Sequence, residues 1–296
     1  MRERVFIPAS PCGAQTADAE TTVSEIGLSL TADTGEAPGL LQSALTQGVT
    51  YWHARDRASL AAAAAEVREQ AVIGVQADAA SLAEDCAEAL AVAGGAPVDA
   101  LWAHMTTAGL DALEPALVSL QGFQQAGKTR AYGFSLEGLS DHDQLAAGEW
   151  AIQKGVPLLL IAYSLHESQV GRDLFRLAEG SPTRFIVALP QETTGLDLWL
   201  GADLAEIVSS LARKTRQLRF LTESGRSLAQ AAIKFALAQP SVACVLPSVR
   251  TVADLQAAVS AAESPDLSRA ELNRIDDLVA HGFHLQPGEM PTVYNG

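Results

Sequence analysis

Apolar and polar positions along this chain follow two distinct periods. Short runs rich in apolar and β-branched residues recur between longer Ala- and Leu-rich runs whose apolar positions return every three to four residues. The short runs predict strands at Val23 to Ser29, Val49 to His53, Ala71 to Gln76, Ala100 to Met105, Ala131 to Ser135, Leu158 to Ala162, Phe185 to Leu189 and Ala243 to Leu246. The longer runs predict helices over Ala37 to Gln47, Leu60 to Gln70, Leu82 to Ala93, Leu113 to Ala126, Ala202 to Leu218 and Leu228 to Gln239. Punctuation agrees with these boundaries. Gly127 is placed to end a helix in the left-handed conformation, Ser227 to cap the start of one, and Pro240 to stop it before the last strand.

Strands alternating with helices read as βα units around a parallel sheet, and eight of them fit a closed (β/α)8 TIM barrel. No Gly/Ser/Pro linker or shift in composition divides the chain, so one barrel domain over residues 1–296 is expected. In such a barrel the pocket forms at the C-terminal ends of the strands. Those ends offer Tyr51, His53, Arg55 and Asp56, then Gln76 and Asp78, then His104, Thr106 and Thr107. Later ends add Ser135 and Glu137, Tyr163, Ser164, His166 and Glu167, Gln191 and Glu192, and Ser248 and Arg250. Loops are polar in any case, and many of these side chains are simply solvated.

Composition narrows the partners. A hydrophobic share of 48% with 19% charged residues is that of a globular protein. The formal net charge of −15 opposes attraction to nucleic acid or anionic membranes, and serves solubility. A small molecule is the expected partner, with a protein partner or oligomer left open. Cys12, Cys86 and Cys244 lack CxxC spacing, so neither a zinc cluster nor a disulfide framework is indicated. The start, MRERVFIPASP, has no apolar signal-peptide core, and no uninterrupted apolar stretch reaches about 18 residues. A cytoplasmic protein is expected.

Five segments, in order, resemble the aldo-keto reductase family. Thr22 to Leu28 (TVSEIGL) is similar to its first barrel strand, and Leu41 to Tyr51 (LQSALTQGVTY) to its first helix and second strand. Val98 to Met105 (VDALWAHM) and Gly127 to Ser135 (GKTRAYGFS) resemble the fourth and fifth strands. Ser227 to Leu246, continuing through Pro247, resembles the last helix and the eighth strand. The resemblance implies a (β/α)8 barrel and a pocket where Asp, Tyr, Lys and His serve NADPH-dependent carbonyl reduction. In that chemistry the Tyr gives a proton as hydride arrives, and the Lys, held by the Asp, lowers the phenol's pKa.

Of those four, His104 stands where the resemblance puts the His. The family's Asp-Thr-Ala-x-x-Tyr falls on His53-Ala54-Arg55-Asp56-Arg57-Ala58, so His53 takes the Asp position and Ala58 the Tyr. The Lys position is Gln76. Alanine has no proton to give, and a neutral amide cannot depress a pKa as an ammonium does. Tyr51, two residues before His53 and on the same strand face, is either a substitute acid or interior packing. The nicotinamide contacts, a Ser-Asn after the fifth strand and a Gln on the sixth, read Ser135-Leu136 and Leu160, and the stacking aromatic falls on Leu189. Pro247-Ser248-Val249-Arg250 keeps an Arg for a 2′-phosphate, while the later polar pair falls on Ala257 and Ala258. NADP is therefore the implied cofactor on a weakened site, with Ser135, Ser248 and Arg250 as its remaining contacts.

The pocket stays polar through His53, Arg55, Gln76, His104, Tyr163 and Glu167. Two histidines across a barrel mouth suit general acid–base work such as dehydration, isomerisation or cyclisation, with Arg55 holding a carboxylate or enolate oxygen. A metal held by His53 and His104 with Glu167 or Asp56 has no HxH or HExxH spacing behind it. The expectation is a small-molecule enzyme outside ordinary carbonyl reduction, using His53 and His104 as acid and base. Two alternatives stand beside it: a non-catalytic barrel that binds a ligand or partner, and an NADPH-dependent reductase with displaced residues. His142 reads as part of a helix N-terminal cap, and His281 and His284 as surface residues. The tail Gly282 to Gly296, with Phe283, Met290 and Tyr294, is either a lid over the pocket or a disordered end.

Overall fold

The computed structural model describes residues 1–7, 20–31, 39–67, 70–106, 110–189 and 214–283. An antiparallel hairpin of β1 (Glu3–Ile7) and β2 (Thr21–Ser24) precedes an eight-stranded parallel sheet. That sheet runs through β3 (Leu28–Leu30), β4 (Tyr51–Ala54), β5 (Val72–Asp78), β6 (Val98–His104), β7 (Thr129–Ser135), β8 (Leu158–Ala162), β9 (Arg184–Ala188) and β10 (Val242–Leu246), each beside the next. Helices α1 (Leu40–Thr46), α2 (Arg57–Val67), α3 (Leu82–Val92), α4 (Leu113–Gln125), α5 (Asp141–Gln153) and α6 (Gln169–Leu177) alternate with the strands. Helix α7 (Leu228–Leu237) precedes β10, and α8 (Val252–Glu263) and α9 (Arg269–Ala280) follow it. This is the (β/α)8 barrel expected from the alternating periods.

One expected strand is two. Val23 to Ser29 breaks after Ser24, where its first part pairs with β1 in the hairpin, and only Leu28–Leu30 joins the barrel. Ile26, between them, bridges to Val245 and closes the circle. The Gly27 N–H donates to the Val245 carbonyl at 2.9 Å, and the Val245 N–H donates to the Glu25 carbonyl at 3.0 Å. Sequence alone cannot distinguish these pairings, since an apolar run looks the same whether its partner is β1 or a barrel strand. The hairpin also plugs the N-terminal end of the barrel: the rings of Phe6 and Tyr51 lie 5.0 Å apart, and Arg4 donates to the carbonyls of Leu237 and Val242.

Other boundaries agree with the pattern to within a few residues. Gly127 has φ 69°, as a left-handed helix stop requires. Ser227 opens α7 with a full capping box to Gln230, and Ser140 caps α5 immediately before Asp141 and His142. Of the helix expected over Ala202 to Leu218, residues 202–213 lie outside the described residues, and 214–217 form one helical turn. No helix among the described residues is long and apolar enough to cross a membrane.

The apolar runs serve two cores because each strand is buried on both faces. Trp52, Leu101, Phe134, Leu159 and Phe185 face the helices, while Tyr51, Trp102, Leu158, Leu160, Ile186 and Cys244 fill the barrel. Inside, large side chains sit opposite missing ones. A Cβ on Gly74 would stand 2.5 Å from Tyr51 Oη, and one on Gly133 only 2.3 Å from the Leu158 carbonyl oxygen.

Candidate active site

All eight strands run the same way, so their C-terminal ends share one mouth. Alternation along β4 turns Tyr51 and His53 inward, one layer above the other, and both are fully buried. Tyr51 Oη lies 3.3 Å from His53 Nδ1, and His53 Nε2 lies 3.2 Å from Gln76 Oε1 at the end of β5. A carbonyl oxygen can only accept, so Nε2 carries the ring proton and Nδ1 accepts from the Tyr51 hydroxyl. Burial pushes the His53 pKa down to about 3, and the positive charge of Arg55 acts in the same direction. Burial also raises the Tyr51 pKa well above its ordinary value. Tyr51, His53 and Gln76 thus form a chain of neutral groups from the barrel interior to its mouth, with Trp102 edge-on to the imidazole at 5.8 Å.

His104 closes β6 beside this chain and is half-buried. Its Nδ1 lies 3.2 Å from Ser135 Oγ at the end of β7, which leaves Nε2 without a hydrogen-bond partner among the described residues. Burial lowers the His104 pKa; Glu137 opposes this, Arg55 reinforces it and Asp78 opposes it. The ring is therefore held toward its neutral form. Arg55, just past β4, donates from Nε to Ser29 Oγ on β3 at 2.7 Å and from Nη2 to Glu137, past β7, at 2.7 Å. A cavity of about 320 Å³ borders these strand ends on the outer side of the barrel, between α2 and α3, where Leu60, Val75, Asp85 and Ala89 line it together with Arg55, Gln76 and His104. That is near the lower bound for a small-ligand site. A larger cavity of about 660 Å³ lies at the opposite end of the strands, beside Thr22, Thr50 and Val98, away from these groups.

The four residues singled out for chemistry, His104, His53, Arg55 and Tyr51, are thus neighbours. Others from the sequence stand elsewhere. Asp56 caps α2 by accepting from the Ser59 N–H at 2.8 Å. Tyr163, expected near the mouth, turns outward: it stacks on Phe235 at 5.0 Å and meets Phe175 edge-on. It lies just past the end of β8, where strand alternation no longer sets its direction. His166 and Glu167 border a different cavity of about 430 Å³, with Lys214 and Phe283. Burial, with Lys214, lowers the His166 pKa to about 4.

Phe283 is buried and its carbonyl accepts from Gln217 Nε2 at 2.7 Å. Met290 and Tyr294, the rest of the expected lid, lie outside the described residues, as do Thr107, Gln191, Glu192, His284 and Cys12. Among the residues considered for a cofactor, Ser135 is fully buried and engaged with His104, Ser248 is half-buried, and Arg250 is exposed ahead of α8. The backbone N–H groups of Arg250 and Thr251 already donate to the Asp254 carboxylate. Leu136 and Leu160 are fully buried.

Two partners of Arg55 carry little signal in the sequence. Ser29 sits inside an apolar run, where a lone hydroxyl at an inward strand position is the local signal. Glu137 stood among the polar loop residues without a role. Its pairing with Arg55 joins positions 82 apart, which no local pattern reveals.

Residues 64–280 match the aldo/keto reductase family. Among solved structures, the chain is similar to the aldo-keto reductase AKR11C1 from Bacillus halodurans in its holo form, at 16% identity with a TM-score of 0.71, covering 94% of this chain and 96% of that one. It is similar at 15% identity and a TM-score of 0.71 to the glycerol dehydrogenase AKR11B4 from Gluconobacter oxydans, covering 98% of both chains. An aldo-keto reductase from Klebsiella pneumoniae in complex with NADPH matches at 16% identity and a TM-score of 0.67, with 88% and 92% covered. At these identities the likeness fixes the fold. No curated protein matches the chain.

Proposed function

Because the chain belongs to the aldo/keto reductase family, we propose that it is a member whose barrel mouth moves protons on a small molecule instead of moving hydride from a nicotinamide. The observation that carries this reading is the hydrogen bond between His53 and Gln76. By the family pattern these are the positions of an Asp and a Lys, whose charges would lower a neighbouring phenol's pKa. Two neutral groups cannot do so. The position of the phenol itself is Ala58, an exposed methyl group in the first turn of α2.

The described residues also fit a nicotinamide poorly. Its carboxamide would meet the side chains of Leu136 and Leu160 and a Ser135 hydroxyl already engaged with His104. The competing reading, NADPH-dependent reduction, draws on the NADPH bound to the Klebsiella relative and on Arg250, whose exposed guanidinium suits a 2′-phosphate.

In the proposed chemistry His104 is the general base. Its Nε2 takes a proton from a carbon beside a carbonyl, and the electron pair moves onto the carbonyl oxygen, where Arg55 stabilises the developing charge. Where that carbon also bears a hydroxyl, return of the proton from Nε2 to the former carbonyl carbon, with the hydroxyl proton passing to the former carbonyl oxygen, moves the carbonyl by one position and completes an isomerisation without an oxidant. His53 is neutral and both its nitrogens are engaged, so it positions Gln76 and Tyr51 and is not the second acid–base group. Tyr51 lies beneath it, out of a substrate's reach. A cytoplasmic location accords with the free, buried Cys86 and Cys244.

Titrating the protein into NADPH while following nucleotide fluorescence, then adding a generic aldehyde such as 4-nitrobenzaldehyde, tests the reading. The expected result is neither saturable binding in the micromolar range nor NADPH oxidation. Micromolar binding together with aldehyde turnover would sink the proposal.

A further inference from the structure

We infer that Glu137 sets the ligand specificity of the mouth: its carboxylate occupies the anion seat on Arg55, and the ligand that displaces it is a small carboxylate. The inference rests on the proton-transfer reading above and adds the substrate class.

The guanidinium is gripped from two sides. Ser29 on β3 accepts from Nε and Glu137 beyond β7 accepts from Nη2, both at 2.7 Å. In sheet order β5 and β6 separate β4 from β7, so the ion pair bridges the mouth past the strand ends that carry Gln76 and His104. Nη1 has no hydrogen-bond partner among the described residues, and Arg55 stands at the strand ends beside His104, close enough for its charge to act on that ring. A planar fork with a carboxylate on one arm and a free second arm beside a neutral imidazole is the seat a substrate carboxylate needs.

The two partners of the bridge are not equally fixed. Ser29 holds Arg55 to the barrel wall, whereas Glu137 stands on a loop and its side chain is 27% exposed. The Glu137 carboxylate has no hydrogen-bond partner other than Arg55 among the described residues, whereas Arg55 is also held by Ser29, so Glu137 is the partner that gives way to a competing carboxylate while Arg55 stays. Glu137 then acts as an internal competitor: it lowers the apparent affinity for any carboxylate by the fraction of time it occupies the seat, and it screens out ligands without a charge to replace its own. Glu137 also raises the His104 pKa and Arg55 lowers it, so exchanging one carboxylate for another preserves the electrostatic setting of the base.

Calorimetric titration of pyruvate, with uncharged acetamide as control, into wild type, Glu137→Gln and Arg55→Gln tests this, each variant first shown to melt cooperatively. Glu137→Gln is expected to bind pyruvate about fivefold more tightly than wild type, as removal of a weak internal competitor implies. Arg55→Gln is expected to lose pyruvate binding, and acetamide to bind to none. Equal affinity in wild type and Glu137→Gln, no binding by Glu137→Gln, or pyruvate binding that survives Arg55→Gln overturns the inference. An independent readout is the NMR titration of the His104 ring without ligand, whose midpoint is expected to fall in Glu137→Gln; an unchanged midpoint removes Glu137 from the site. Failure here leaves the NADPH titration untouched, and NADPH turnover would defeat the functional reading while pyruvate competition stayed measurable, so the two failures are distinguishable.

Discussion

Gly133→Ala is expected to destabilise the protein by about 3 kcal/mol, the upper end of what overpacking a filled interior costs. Gly133 pairs with Leu158 across β7 and β8, and a Cβ there would lie 2.3 Å from the Leu158 carbonyl oxygen, 2.7 Å from its Cβ and 2.9 Å from its carbonyl carbon. Two of those three atoms are main chain and cannot rotate away. The strands must part, weakening the ladder at the wall that carries Ser135 and, beyond it, Glu137. Gly122→Ala is the matched control: it lies on the exposed face of α4, with nothing within 4 Å of its Cβ position. That change is expected to stabilise by about 0.5–1 kcal/mol through helix propensity and a less flexible unfolded chain. Urea unfolding of both variants at one pH checks the pair. If Gly133→Ala matches wild type, the packing of β7 on β8 described above is wrong.

The contrast between those glycines marks what the sequence could reveal. Both interrupt otherwise regular patterns, and neither period nor propensity says which one a side chain would wreck. Parallel strands buried on both faces announce themselves as apolar runs, so seven barrel strands were legible from β4 onward. The first differs from the pattern because Ile26 and Gly27 continue an apolar run that changes partners from β1 to the barrel.

At the site, alternation and the strand-end rule were enough to bring His53, Arg55, Gln76 and His104 together. Tyr163 was lost because it lies a residue past its strand. What stayed hidden were pairings over long sequence separations, Arg55 with Ser29 and Glu137, and the consequence of depth. His53 reads in sequence as a histidine at a pocket mouth, while the folded chain seals it beneath Gln76 and turns an expected proton carrier into a neutral support.

That depth sets the second large effect: between pH 7 and pH 5 the protein is expected to lose roughly 4 kcal/mol of stability, about 2 kcal/mol from each of His53 and His166. Their pKa values are lowered by burial from 6.5 to about 3 and about 4. Between those values and 6.5 the unfolded chain binds protons that the folded chain refuses, so stability is fully present above about pH 6.5 and falls as pH drops toward the folded values. His104, lowered by its own burial, acts in the same direction. Urea unfolding of wild type, His53→Gln and His166→Gln at pH 7, 6 and 5 isolates the contributions. Each variant is expected to start less stable at pH 7 and to lose about half of the wild-type pH dependence. A wild-type stability that stays level from pH 7 to 5 defeats the burial argument outright. A His53→Gln variant with the full wild-type slope carries the sharper consequence: His53 would then titrate near its ordinary value in the folded protein, and it would return as the proton-exchanging partner of His104.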